Sequence, residues 1–248
     1  MSAPASDNAP SVAQRWRAYS VHCYTACGVG FALAAAMEIC SSSPRPRHVF
    51  LLLLAAVLVD ATDGIFARRW RVKDWAAAID GRTIDDIVDY LTYTFLPLLL
   101  MWRMHWLPEP AAWWIIPALI ASLFGFSNRA AKDETSGFFL GFPSYWNVVA
   151  FYGGLWTLPA GAWINAAMLI VLTVLTVLPV RFLYPNLAPR PWKTPILLGA
   201  LFWIVCLLSI LWNYPHAPLW LVLLSLFYPA FYTAVSWKVA SSQRSEPP

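Results

Sequence analysis

Long apolar stretches alternate with short polar segments along most of the chain. Eight stretches rich in Leu, Ile, Val, Ala and Trp fall at about residues 19–40, 48–66, 84–103, 111–127, 144–158, 161–181, 194–213 and 216–237. A helix of roughly 20 apolar residues is long enough to cross a hydrocarbon core of about 30 Å. The pattern therefore predicts an all-α fold, a polytopic transmembrane helical bundle with about eight spans.

Polar segments at the two ends set the predicted domain limits. Residues 1–11 are rich in Ser, Ala and Pro and are expected to be disordered. Residues 12–19, which include Arg15, Trp16 and Arg17, are typical of a short interfacial helix. We therefore divide the chain into an N-terminal segment, residues 1–18, a transmembrane domain, residues 19–240, and a C-terminal tail, residues 241–248.

The composition is typical of a membrane protein and gives no indication of a zinc-binding, disulfide-rich or nucleic-acid-binding protein. The chain is 59% hydrophobic and 12% charged, with 4 Cys that form no CxxC pair. Neither a zinc site nor a disulfide framework is indicated by that spacing. The net charge of +4 requires no nucleic-acid partner, because the basic residues are explained by membrane topology.

The distribution of Lys and Arg predicts the orientation. With the N-terminus inside, 14 of the 17 basic residues fall in cytoplasmic segments and 3 fall outside, namely Arg45, Arg47 and Arg103. Cytoplasmic loops of membrane proteins carry an excess of Lys and Arg. The chain is therefore expected to have both termini in the cytoplasm, with the polar segment near residues 67–84 on the same side.

Acidic residues concentrate at that cytoplasmic junction. Of 13 Asp and Glu residues, 7 lie between positions 60 and 89. Asp60 and Asp63 are spaced i,i+3, and Asp85 and Asp89 are spaced i,i+4, so each pair shares one face of a helix. Carboxylates are costly beside a bilayer and mark functional sites. Converging carboxylates are the ligands that Mg²⁺ and Mn²⁺ prefer.

These residues form the pattern Asp60-x2-Asp63-Gly64-x2-Ala67-Arg68, followed by Gly81-x3-Asp85-x3-Asp89. The pattern resembles the signature of the CDP-alcohol phosphotransferase family, integral membrane enzymes that join a CDP-linked group to an alcohol and release CMP. The resemblance implies that Asp60, Asp63, Asp85 and Asp89 bind two divalent metal ions, Mg²⁺ or Mn²⁺. It further implies that Asp89 is the catalytic base and that CDP contacts Asp60, Gly64, Ala67, Arg68 and Gly81.

Physical chemistry agrees with those implied roles. Two metal ions can neutralise a diphosphate, stabilise the leaving CMP and polarise the attacked phosphorus. Gly64 and Gly81 lack a Cβ and permit close approach of a nucleotide to the backbone. The planar guanidinium of Arg68 suits phosphate.

A gap of 12 residues, from Arg69 to Asp80, separates the two halves of the pattern. It is longer than the family's common form and is similar to that of the bacterial phosphatidylcholine synthase branch, which condenses CDP-diacylglycerol with choline. Eight spans, a six-helix family core plus two, point the same way. The resemblance implies an inner-membrane enzyme with a cytoplasmic active site, membrane lipid as its surroundings and a homodimeric state.

A second polar patch covers residues 127–147 and is also expected to be cytoplasmic. Arg129 and Lys132 are candidates to hold the lipid phosphate. A quaternary ammonium has no N–H to donate and is recognised by aromatic faces and carboxylates. The candidates for choline are Asp133, Glu134, Tyr145 and Trp146. Ordinary interfacial packing is the alternative for each aromatic residue.

Residues outside these patterns are interpreted as structural. Asp74, Asp80 and Asp86 lie off the motif spacing and are expected to cap helices or face solvent. Gly28 and Gly30 are expected to allow close helix packing. Gly137 and Gly141 are expected to mark turns.

Two alternative functions stay open. The acceptor alcohol can instead be serine, inositol or glycerol phosphate, although an anionic acceptor would require more basic residues than the second polar patch carries. A cation transporter would also hold carboxylates, but near the middle of the membrane and spread over several helices. The clustering at one edge, together with Asp63-Gly64-x2-Ala67-Arg68, favours catalysis.

Overall fold

The computed structural model describes residues 10–128, 137–155 and 161–244. Their elements, in chain order, are α1 (Val12–Ala26), α2 (Gly28–Ile39), α3 (Pro46–Arg69), α4 (Val72–Trp75), α5 (Gly81–Asp89), a π-helix (Tyr90–Phe95), α6 (Leu96–Arg103), α7 (Ala112–Ser127), β1 (Phe138–Leu140), α8 (Trp146–Gly153), α9 (Gly161–Val177), β2 (Arg181–Leu183), a 3₁₀ turn (Pro185–Leu187), α10 (Arg190–Trp212) and α11 (Leu219–Arg244). The predicted helical class is confirmed.

Several of these helices are long and apolar enough to cross a membrane. Within the described ranges they are the continuous pair Val12–Ile39, together with Pro46–Arg69, Arg190–Trp212 and Leu219–Ser242. Ala112–Ser127 and Gly161–Val177 are shorter apolar helices. Large apolar side chains project outward, such as Trp113 at 76% exposure and Phe227 at 69%. Such a surface suits lipid, because soluble monomers rarely expose large apolar patches.

Local signals explain where the helices begin. Ser11 starts α1 with a capping box, accepting from the Gln14 backbone N–H while the Gln14 side chain accepts from the Ser11 N–H. Pro46 occupies the first turn of α3, where its missing N–H costs nothing. Because α1 runs without interruption from Val12 to Ala26, the predicted domain boundary at residue 18 falls inside a helix. Residues 1–9 and 245–248 of the predicted terminal segments lie outside the described ranges.

The main core is built from buried residues of α2, α3, α6, α7, α8, α9, α10 and α11. Leu98, Met101, Trp146 and Leu169 each have no exposed surface and belong to this cluster. Gly28 allows α2 to approach α5, since a Cβ there would lie 2.5 Å from Val88 Cγ1. A Cβ on Gly30 would meet nothing within 4 Å, so close packing is found at Gly28 and not at Gly30.

The predicted span 84–103 is divided into three helical segments. Regular α5 ends at Asp89, the π-helix follows, and α6 begins at Leu96. The Leu96 N–H donates to the Leu91 carbonyl, the i→i−5 pattern of a π-helix. Pro97 has no N–H to donate to the Tyr93 carbonyl and its ring crowds that position, which disfavours a regular α-helical turn there. The chain therefore changes its helical pitch directly after Asp89.

A two-stranded antiparallel sheet, formed by two segments far apart in the sequence, departs from the all-α prediction. Strand β1 pairs antiparallel with β2, with Phe139 opposite Phe182. Gly141 closes the pair by donating its N–H to the Val180 carbonyl, and it has a φ of +85°. Gly137 also has positive φ, at +73°, so both glycines lie in turns as predicted. The Leu183 carbonyl accepts from the Tyr232 hydroxyl and thereby joins the sheet to α11.

Candidate metal and phosphate site

Three of the four motif aspartates meet between α3 and α5. Asp60, Asp85 and Asp89 each offer one carboxylate oxygen, and these oxygens lie within 4.8 Å of one another. All three residues are half-buried. We refer to this set as the acidic group. The helical spacing that placed Asp85 and Asp89 on one face brings both toward α3.

The depth of Asp60 along α3 matches that of Asp89 along α5. Asp60 lies 9 residues before Arg69, the end of α3, and Asp89 lies 8 residues after Gly81, the start of α5. At about 1.5 Å per residue, each carboxylate stands about 12–14 Å along its helix from the 70–80 connection. These similar distances agree with the close approach of the Asp60 and Asp89 carboxylate oxygens.

Asp63, the fourth motif aspartate, has a different contact in this structure. Its Oδ2 accepts a hydrogen bond of 2.7 Å from the Thr25 hydroxyl on α1. The neighbouring Thr62 hydroxyl is 2.7 Å from the Tyr24 hydroxyl, also on α1. Helix α1 is thus tied to the Asp63 side of α3. Metal binding by Asp63 stays a prediction.

The remaining motif positions surround the end of α3 and the start of α5. Arg68 is exposed, and its Nη1 reaches back to 3.4 Å from the point where a Cβ on Gly64 would stand. Ala67 packs at the edge of a small cluster that includes Ala18 and Val72. The sequence predicts that these small residues leave room for a nucleotide.

Gly81 has a close neighbour within the protein itself. A Cβ at Gly81 would lie 2.8 Å from the ring of His22, which is buried at 5% exposure. The absence of a side chain at this position is therefore required by packing against α1. A contact between Gly81 and CDP remains a prediction, since the packing reason does not exclude it.

The acidic residues off the motif spacing have the structural roles expected of them. Asp80 caps α5, accepting from the Arg82 backbone N–H at 3.1 Å and from the Thr83 hydroxyl at 2.8 Å. The hydrogen bond from Thr83 is the largest cause that lowers the pKa of the Asp80 carboxyl below its usual value, and the one from the Arg82 backbone N–H adds to it. Asp74 pairs with Arg71 at 2.8 Å. Asp86 lies 3.8 Å from the Arg82 guanidinium.

The second polar patch is described only in part. Arg129, Lys132, Asp133 and Glu134 lie outside the described residues. Tyr145 is 48% exposed, and its ring centroid lies 5.8 Å from that of Tyr93. Trp146 has no exposed surface.

The environment of Trp146 is that of a core residue. Its indole N–H donates to the Ser122 hydroxyl at 2.7 Å, and its ring packs edge-on against Phe142. No face of the ring is open to an incoming cation in this conformation. This burial counts against Trp146 as a choline contact and leaves Tyr145 as the aromatic candidate of the described pair.

Tyr93 contacts the acidic group but was not among the candidates predicted from the sequence. Its hydroxyl donates to Asp60 Oδ2 at 2.8 Å. A signal was available, because Tyr93 follows Asp89 by four residues and so extends the i,i+4 series of Asp85 and Asp89. Among 10 tyrosines, that spacing alone did not distinguish it.

The donor set of the acidic group fits a hard divalent cation. Three carboxylates this close repel one another, and a divalent cation between them would offset that repulsion. Oxygen donors without His or Cys suit Mg²⁺ or Mn²⁺ better than zinc or copper. The fold and the site thus define a helical membrane protein with a candidate divalent-cation site between two helices.

Comparison with known proteins identifies the family. No protein-family model matches the chain. The chain is 39% identical over 170 residues to a phosphatidylcholine synthase of Pseudomonas aeruginosa, an alignment that covers 68% of this chain and 69% of that protein. It is 33% identical over 236 residues to the phosphatidylcholine synthase of Legionella pneumophila, covering 90% of this chain and 89% of the relative. A third relative, the phosphatidylcholine synthase of Agrobacterium fabrum, is 31% identical over 207 residues, with 84% of each chain covered.

The chain belongs to the phosphatidylcholine synthase family, and it is an enzyme. The resemblance drawn from the acidic pattern and its long internal gap is therefore confirmed at the level of the branch.

Proposed function

We propose that this protein transfers the phosphatidyl group of CDP-diacylglycerol to choline, forming phosphatidylcholine and releasing CMP. The observation that carries the proposal is the acidic group, Asp60, Asp85 and Asp89, found at the positions of the family pattern in a chain related to phosphatidylcholine synthases over most of its length. The choline oxygen forms a bond to the phosphatidyl phosphorus. The bond from that phosphorus to the bridging oxygen breaks, and the oxygen leaves with CMP.

The acidic group would hold the divalent cations, with Asp63 completing the set. Two ions, Mg²⁺ or Mn²⁺, would supply charge neutralisation at the diphosphate. Asp89 would accept the proton of the choline hydroxyl, because a carboxylate beside the incoming alcohol is a suitable general base. Arg68 is exposed next to Gly64 and is available to contact a phosphate oxygen.

Recognition of choline is proposed to involve Tyr145. Its ring is exposed and lies beside Tyr93, whose hydroxyl contacts Asp60. A quaternary ammonium against that face would gain cation–π attraction and lie near carboxylates, without needing a hydrogen-bond donor of its own. Asp133 and Glu134 stay candidates for the same role, and Arg129 and Lys132 stay candidates for the lipid phosphate.

The membrane arrangement proposed from the charge pattern completes the assignment. Eight spans with both termini in the cytoplasm would place the 70–80 connection, and with it the open side of the site, at the cytoplasmic face of a bacterial inner membrane. The four long apolar helices and two shorter ones support a multi-pass protein. CDP-diacylglycerol would enter from the lipid and choline from the cytosol. A homodimer is proposed from the family resemblance.

The decisive experiment measures CMP release by purified protein in lipid nanodiscs supplied with CDP-diacylglycerol, Mn²⁺ and one labelled alcohol at a time. Choline is expected to give CMP and labelled phosphatidylcholine in equal amounts. Incorporation of serine, inositol or glycerol phosphate instead of choline would overturn the acceptor assignment. Release without any acceptor would show hydrolysis rather than transfer.

The role of Asp89 is tested by Asp89→Asn with Asp86→Asn as its matched control. Loss of a general base typically lowers turnover by about 10²–10⁴-fold. Asp86 lies on the same helix and contacts Arg82, so its amide variant is expected to keep near-normal turnover. Near-normal turnover of Asp89→Asn would remove it from the catalytic step.

A further inference from the structure

We propose that Tyr93 is a positioning residue that fixes the carboxylate of Asp60 for divalent-cation binding, an inference that rests on the proposed cation site at the acidic group. The Tyr93 hydroxyl donates to Asp60 Oδ2 at 2.8 Å. Residues that hydrogen-bond to a metal ligand orient it and tune the affinity of the site. Tyr93 lies in the π-helix, four residues after Asp89, so its hydrogen bond ties the segment that directly follows α5 to Asp60 on α3.

The contact restrains the one member of the acidic group that comes from α3. Asp85 and Asp89 share a helix and keep their separation through its backbone. Asp60 lies on a different helix, α3, and its side chain has two torsion angles. A hydrogen bond from the opposite helix to Oδ2 removes much of that freedom, since bonds to ionised groups are stronger than neutral ones.

The position of the Tyr93 side chain depends on its backbone and on a neighbouring ring. Its residue lies in the π-helix, where the Leu96 N–H reaches the Leu91 carbonyl. π-Helical turns inside α-helices frequently occur at functional sites, because they redirect the side chains that they carry. The ring centroid of Tyr93 lies 5.8 Å from that of Tyr145, so an aromatic neighbour limits movement of the phenol.

The change in helical pitch lies between Asp89 and Tyr93. Asp89 is the last residue of α5, and Tyr93 is the fourth residue of the π-helix. Pro97 disfavours a regular turn at this place, as described above. Pro97 therefore favours the π-helical turn in which the Tyr93 hydroxyl reaches Asp60.

The test is Tyr93→Phe, which keeps the ring and removes only the hydroxyl. Tyr90→Phe is the matched control, because Tyr90 lies in the same π-helix and its hydroxyl donates to the Leu119 carbonyl, away from the acidic group. Binding of Mn²⁺ alone is followed by electron paramagnetic resonance in nanodiscs without substrate. Thermal midpoints with and without Mn²⁺ provide a second readout, since a ligand that binds the folded state raises its stability.

We expect the Mn²⁺ dissociation constant of Tyr93→Phe to rise by about tenfold or more, the range seen when partners of metal ligands are removed. Tyr90→Phe is expected to bind Mn²⁺ like the wild type. Turnover of Tyr93→Phe should recover toward the wild-type value at high Mn²⁺, because the hydroxyl acts through Asp60.

Three results would overturn the inference, and they are distinguishable. If the wild-type protein binds Mn²⁺ and Tyr93→Phe binds it with the same affinity, Tyr93 has no positioning role and the cation site stands. Wild-type protein that binds no Mn²⁺ would overturn the cation site and the role of Tyr93 with it. An equal loss in Tyr90→Phe would show that the π-helix, rather than the contact with Asp60, determines affinity.

Discussion

Gly28 controls how closely α2 approaches the helix that carries Asp85 and Asp89, and Gly28→Ala is therefore expected to impair turnover. The added Cβ would lie 2.5 Å from Val88 Cγ1, whereas ordinary contact begins at 3.4 Å. Val88 cannot swing aside easily, because β-branched side chains in helices have one strongly preferred rotamer. The helices must separate by roughly 1 Å, and Asp89 is the residue directly after Val88.

The size of the effect follows from that displacement. A misplacement of about 1 Å in a catalytic constellation can cost about 100-fold in rate. At about 1.4 kcal/mol per tenfold, this corresponds to roughly 2.7 kcal/mol of transition-state stabilisation. Intrinsic helix propensity would act in the opposite direction, since Ala is better than Gly by about 1 kcal/mol in a helix. A loss of activity without a loss of helix content would therefore report the contact.

The assay is CMP release at saturating Mn²⁺, and the structure supplies both a rescue and a control. In Gly28→Ala/Val88→Ala the nearest atom of residue 88 is its Cβ, 3.8 Å from the new methyl group, which is ordinary contact. Turnover should return most of the way to the wild-type value. Gly30→Ala, where a Cβ meets nothing within 4 Å, should be neutral. If the double variant were as impaired as Gly28→Ala, or if Gly28→Ala were fully active, the reasoning would fail.

Three further variants test structural roles by thermal unfolding in nanodiscs. Trp146→Ala should lower the free energy of unfolding by roughly 3–5 kcal/mol, since it empties a fully buried site. Gly141→Ala should cost about 1–3 kcal/mol in free energy of unfolding from backbone strain, because φ is +85°. The clash of the added Cβ, 2.5 Å from the Thr176 carbonyl oxygen, adds to that cost. Asp80→Ala should destabilise α5 at neutral pH but less at low pH. The pKa of Asp80 is lowered on folding, so its contribution is present above its unfolded pKa of about 4 and is lost as pH falls through the lower folded value.

Each variant has an outcome that would contradict its premise. A stable Trp146→Ala protein with a raised choline KM would return Trp146 to the choline site. A neutral Gly141→Ala would mean that residue 141 does not adopt a positive φ in the protein. A constant difference between Asp80→Ala and wild type down to pH of about 3 would mean that the cap does not depend on an ionised carboxylate.

The sequence predicts those parts of the fold that depend on local periodicity. The apolar stretch 48–66 corresponds to α3, Pro46–Arg69, and the stretch 194–213 to α10, Arg190–Trp212. The convergence of Asp60 with Asp85 and Asp89 was also predictable, because it follows from two helical spacings and one connection. Helical periodicity determines which side chains share a face, and the connection brings the faces together.

Features that depend on distant partners were not predictable in the same way. The π-helix precedes Pro97, which disfavours a regular α-helical turn there, and hydropathy contains no information about helical pitch. The two-stranded sheet pairs residues more than forty positions apart, in strands of three residues each. The contact of Asp63 with Thr25 and the packing of Gly81 against His22 both require α1 to lie beside α3 and α5. The spacing of the motif contains no information about α1.

The pairing of β1 with β2 affects the order in which the structure can form. Strand β1 lies within the second polar patch, residues 127–147, and its partner β2 is fixed to α11 by two hydrogen bonds. The Ser236 hydroxyl accepts from the Leu183 N–H at 3.3 Å, and the Tyr232 hydroxyl donates to the Leu183 carbonyl. A ribosome delivers α11 after the other described elements, so this attachment cannot form until α11 has been synthesised. The acidic group can assemble early, from α3 and α5, whereas β1 gains this support for its partner strand only when α11 has inserted. A protein truncated before α11 would be expected to retain the carboxylates yet lack the anchor for the neighbouring strand.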